Sequence, residues 1–169
     1  MTRLSAAYGR FLDALAVAAA LILFGMVALV TADILLRNTT RIGFAWANEI
    51  SEYALYLMTL LVAPWLLRRG QHVRLDLVLV NVPARAALAL ELIGDLIGLA
   101  ICLILLRYGV GMTLESWRLG SITIKNLVFP EWWLLAPLPV AFLLLAVEFV
   151  FRMRRLGAGE RRQDATSVG

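Results

Sequence analysis

The sequence predicts an all-α membrane protein with four transmembrane helices, one interfacial amphipathic helix and both termini in the cytoplasm. Three observations predict it. Hydrophobic residues make up 62% of the 169 residues and charged residues only 17%, against about 45–50% and about 25% in soluble globular domains. The charges cluster, leaving apolar runs close to the roughly 20 residues that cross a bilayer. The basic residues sit mainly at the ends of those runs, where they set topology. A water-soluble domain of this length could not cover so much apolar surface. The composition therefore excludes an ordinary soluble enzyme, a disordered tail and a nucleic-acid module. The net charge of +4 reads as an orientation signal.

The first span is expected at about 12–36. Its uncharged centre, Ala14 to Ala32, is 19 residues long. That exceeds the about 7–15 residues of a signal-peptide core, so the segment reads as a retained helix. The second span is expected at about 50–67. Trp46 and Tyr53 mark its start, Asn48 is the expected N-cap, and Glu49 and Glu52 suit the positive end of the helix dipole. Pro64 lies near the far end, where a kink costs least.

The stretch at about 70–83, with His72 and Asp76, is too polar to span and too apolar for a plain loop. It reads as a helix lying in the interface, and Pro83 marks the entry to the next helix. The third span is expected at about 86–106. Gly109, Gly111, Trp117, Gly120 and Pro130 then read as a loop from Arg107 to Glu131. The fourth span is expected at about 132–151, anchored by Trp132 and Trp133. Residues 1–151 form one membrane domain and residues 152–169 a basic tail. With the N-terminus inside, eleven of the sixteen basic residues fall in cytoplasmic segments. Arg37, Arg41, Arg107, Arg118 and Lys125 fall outside, which satisfies the positive-inside rule.

No catalytic, cofactor or metal site is expected. His72 is the single histidine and Cys102 the single cysteine, too few for a zinc cluster or for both ligands of a bis-histidine haem. Nucleophile-elbow and phosphate-loop motifs are absent from the sequence. Glu91 and Asp95 stand four apart, on one helical face. They read as a pair facing a partner helix, or as a proton site in a self-sufficient small transporter. Gly94 and Gly98 give the small-residue spacing that brings helix backbones close. Asp33 with Arg37 and Glu148 with Arg152 read as pairs within their own helices. Arg37 has Glu49 and Glu52 as alternative partners. His72 and Asp76 read as a surface pair.

Two blocks are distinctive: Trp46-Ala-Asn-Glu49-Ile-Ser-Glu52-Tyr, and Ala63-Pro64-Trp65-Leu-Leu-Arg68-Arg69-Gly-Gln-His72-Val-Arg-Leu-Asp76. With Ser116, Gly120, the run Asn126 to Trp132 and Pro137-Leu-Pro139, they resemble the small membrane subunit of tripartite ATP-independent periplasmic (TRAP) transporters, the DctQ type. The resemblance covers roughly Asp33 to Phe151.

It implies a non-catalytic scaffold in a bacterial inner membrane, surrounded by lipid. The implied partners are a large permease subunit that moves the solute with sodium coupling, and a periplasmic binding protein that delivers a carboxylate or a sialic acid. It implies that Trp46, Glu49 and Glu52 fix the outer start of span two, and that Arg69, His72 and Asp76 fix its inner exit. Topology adds Trp117, Arg118 and Lys125 as candidate contacts for the binding protein. Relatives often carry Glu where Asn48 stands and Gly where Val62 stands.

Overall fold

The computed structural model describes residues 3–69 and 84–157. Its elements are α1 (Arg3–Thr40), α2 (Ala47–Arg68), α3 (Ala84–Leu119), β1 (Ile122–Thr123), β2 (Phe129–Pro130), α4 (Trp132–Leu135) and α5 (Pro137–Gly157). The expected interfacial helix, with His72 and Asp76, lies outside the described residues, as does the tail beyond residue 157.

Four stretches are long and apolar enough to cross a membrane: Ala7–Thr40, Ala47–Arg68, Leu88–Leu119 and Trp132–Arg154. The polarity of the bundle is inverted relative to a soluble one. Phe24, Leu21, Val17, Leu96 and Tyr108 are exposed, whereas Asp33, Glu49, Asp95, Ser116, Glu148 and Arg152 are buried. A helix that is apolar all round belongs in lipid, and buried charges persist only where they are paired.

α1 packs on α2, α2 on α5, and α3 on α5, so the bundle runs α1–α2–α5–α3. α3 and α5 lie antiparallel in one continuous register. Asp95 meets Arg152, Gly98 lies against Phe149, Gly109 against Leu138 and Pro139, and Ser116 bonds Glu131. Each step up α3 is matched by an equal step back along α5.

That register corrects the expected loop. α3 stays helical to Leu119, well past Arg107. Gly109 and Gly111 cost only about 1 kcal/mol each in a helix. At Gly109 the missing side chain is used, because a Cβ there would stand 3.3 Å from Leu138. The chain turns only at Gly120, with φ +62°. Gly120 N–H donates to Trp117 O at 3.3 Å and Ser121 N–H to Ser116 O at 3.1 Å, the two bonds of a Schellman C-cap. β1 and β2 then form a short antiparallel hairpin, Ile122 opposite Pro130 and Thr123 opposite Phe129. The last span is divided at Ala136, since Pro137 and Pro139 lack the N–H groups that would continue the ladder.

The start of α2 also differs from expectation. Trp46, not Asn48, is the N-cap, and its side chain makes no capping bond. A turn closed by Ala47 N–H donating to Phe44 O at 3.0 Å leads the chain into the helix, and Asn48 sits exposed in the first turn.

The two glycines of the small-residue pair do different work. Gly98 leaves room for the Phe149 ring, whereas Gly94 faces open space. Gly98→Leu should therefore destabilise the bundle by about 1–3 kcal/mol through overpacking, and Phe149→Ala should restore part of that loss. Gly94→Leu should be near neutral. Thermal unfolding of the detergent-solubilised chain checks both outcomes.

Candidate functional site

Polar side chains gather at the two ends of the bundle. At the hairpin end, the carboxylate of Glu49 receives two backbone N–H groups, Asn126 on Oε1 at 2.7 Å and Leu127 on Oε2 at 2.9 Å. Asn126 Nδ2 donates to Ala45 O at 3.1 Å. Charge-assisted bonds of this kind are about twice as strong as neutral ones, and they hold the hairpin loop on the first turn of α2. Lys125 Nζ meets Glu52 Oε2 at 3.0 Å and lies over the Tyr53 ring. Tyr53 meets Phe129 edge-on, with centroids 5.4 Å apart. The bond to Glu52 holds the Lys125 ammonium above the usual lysine range, partial desolvation opposing it and electrostatic attraction, chiefly to Glu52, adding to it.

The α1–α2 turn is fixed by Asp33. Its Oδ1 accepts the Phe44 N–H at 2.6 Å and its Oδ2 pairs with Arg37 at 2.8 Å. Arg37 thus bonds within its own helix, while Glu49 and Glu52 serve the hairpin. Phe44 and Trp46 stack obliquely beside this turn, with centroids 5.1 Å apart.

The hairpin has two faces. Lys125 and Phe129 look toward α2. Ile122, Ile124 and Val128 are exposed, Ile124 by 83%, alongside Trp117 and Leu119 at the end of α3. Trp117 and Arg118 therefore stand on the last helical turn rather than in a loop, both exposed. Lys125 is engaged with Glu52.

At the end bearing the termini, charges join helix to helix. Arg68 Nη1 lies 3.4 Å from Glu148 Oε2, with the Glu148 side chain 0% exposed. Arg68 also covers the Tyr8 ring, whose hydroxyl donates to Leu144 O at 2.8 Å. Gly9 makes space for the Arg68 guanidinium, since a Cβ there would fall 2.8 Å from it. Asp13 accepts the Trp65 indole N–H at 2.9 Å and lies 3.6 Å from Arg69, which stacks over Trp65. Arg152 Nε lies 3.1 Å from Asp95 Oδ2, both side chains nearly buried.

Glu148 and Arg152 thus reach different helices, correcting the expectation of a pair within α5. Asp95 has its mate inside the chain, Arg152 on α5, so the helix it faces is one of its own bundle. Glu91 stands one turn away on α3, half-buried. Sequence reasoning missed Asp13, Arg68, Asn126 and Leu127. The clasp on Glu49 is made by backbone groups and carries no residue-type signal.

The model of the DctQ component of tripartite ATP-independent periplasmic transporters matches residues 26–158. The chain belongs to the DctQ family. A search of curated proteins finds no match. The DctQ protein is thus a transporter component and not an enzyme, and its apolar helices make it a multi-pass membrane protein. TRAP systems work with a large permease and a binding protein, which gives the kind of partner this subunit has.

Glu49→Ala should cost about 1–3 kcal/mol, because two part-buried N–H groups lose a charged acceptor. Faster amide exchange at Asn126 and Leu127 should accompany the loss. For Lys125 the sign follows from its raised pKa. Its stabilisation is fully present below the ordinary value of 10.5 and is lost as pH rises through the higher folded value. Wild type and Lys125→Ala should differ in thermal unfolding at neutral pH and converge only above pH 10.5.

Proposed function

We propose that the chain is the small scaffold subunit of a TRAP importer for an organic acid of the carboxylate or sialic-acid class, driven by sodium. Both termini lie in the cytoplasm of a bacterium and the hairpin end faces the periplasm. The scaffold supports the large permease subunit along its apolar flanks and presents the exposed hairpin face to the binding protein. The observation that carries this reading is the coupling of charge pairing to helix packing. Arg68–Glu148 and Arg152–Asp95 tie one end of the bundle, and Glu49 ties the hairpin at the other.

A bundle braced this way supports a platform role better than a moving one. The rival reading, a self-sufficient proton-coupled transporter using Glu91 and Asp95, needs a carboxylate free to exchange protons. Asp95 is instead held 3.1 Å from Arg152 on the neighbouring helix, which weighs against that role.

The test is uptake of the binding protein's own ligand into proteoliposomes under a sodium gradient. Uptake should require this subunit, the large permease and the binding protein together. Flux from this chain alone, lost in Asp95→Asn, would support the rival. Ile124→Asp on the hairpin face should weaken binding-protein docking about tenfold, as loss of a central apolar contact does, while thermal unfolding of the subunit stays unchanged.

A further inference from the structure

The register of α3 on α5 places one charge midway along the bundle. Asp95, Cys102, Gly109 and Ser116 recur every seven residues, and all four are buried, so they mark the face of α3 that packs on α5. Arg107 is two residues from Gly109, about 200° around the helix at 3.6 residues per turn. It therefore points away from the bundle, and it is exposed.

Its depth follows from the same contacts. Arg107 lies nine residues from Gly98, which packs against Phe149, and nine from Ser116, which bonds Glu131. At about 1.5 Å per residue it stands about 14 Å from either level. The first level adjoins the Arg68–Glu148 pair and the second adjoins the hairpin. Arg107 thus occupies the middle of the span, among the exposed Leu103, Ile104 and Tyr108, with which it lines a shallow groove of about 390 Å³. No carboxylate of the described residues pairs with it.

An arginine at the centre of a bilayer is costly and faces protein or water rather than lipid tails, whereas snorkelling serves those near helix ends. Lipid phosphates lie at the interface, out of reach from this depth. We infer that the Arg107 face of α3 is an intersubunit contact, covered by a partner membrane helix that brings a carboxylate to mid-depth. This rests on the scaffold reading, under which the partner is the large permease subunit. The groove lined by Leu103, Ile104 and Tyr108 receives the apolar side chains around that carboxylate.

The test compares wild type, Arg107→Leu and Arg107→Lys, each co-expressed with the permease and captured through a tag on this chain. Arg107→Leu should retain about tenfold less permease, since it strands the partner's acid. Arg107→Lys should retain most of it. The isolated Arg107→Leu chain should unfold at the wild-type temperature or above. Wild-type recovery by Arg107→Leu would overturn this inference alone and leave the scaffold reading standing. No capture by wild type would overturn both. In a Cys102→Ala background, Arg107→Cys should crosslink to the permease, and crosslinking to a second copy of this chain would overturn the assignment.

Discussion

A charge inside an apolar bundle has no water to solvate it, and every other feature of this subunit is arranged around that constraint. The cost of an isolated buried ion far exceeds the stability of a typical domain. Paired and packed, the same ions fix which helix meets which, and at what height. Arg152 against Asp95 sets α3 on α5, and the glycine contacts at Gly98 and Gly109 carry that register along the pair. Arg68 against Glu148 sets α2 on α5. On the exposed rim of the same end, Asp13 ties α1 to α2 through Trp65. Apolar contacts among such helices are interchangeable, because lipid offers them equal company. The polar contacts are not, and they give the bundle one arrangement.

The hairpin end solves the same problem with backbone groups. A loop leaving a membrane span carries N–H groups that need acceptors. Glu49 supplies one carboxylate for two of them. The ordering of this loop leaves its other face, Ile122, Ile124 and Val128, held outward in a fixed position. An apolar face held still is a better docking surface than a mobile loop, because less entropy is lost on binding.

Much of this was legible in the sequence. Run length and hydropathy give four spans, and α2 runs within a few residues of its expected bounds. The length of α3 was not legible, because a glycine such as Gly109 reads as a turn whether it breaks a helix or clears space for Leu138. The pairing of Glu148 and Arg152 was not legible either. A spacing of four permits a bond within the helix, and only packing reveals that each side chain reaches a different neighbour. The mate of Asp95 was hidden for the same reason. Asp33 and Arg37 pair as their spacing says.

The central claim is that this subunit is a braced, static element of a moving machine. Spin labels at Phe24 on α1 and Leu143 on α5, both exposed, would report the distance across the bundle in the reconstituted three-component transporter. A single narrow distance distribution, unchanged between sodium-free, sodium-loaded and substrate-loaded conditions, is the predicted result. A distance that shifts or splits as the transporter turns over would contradict it.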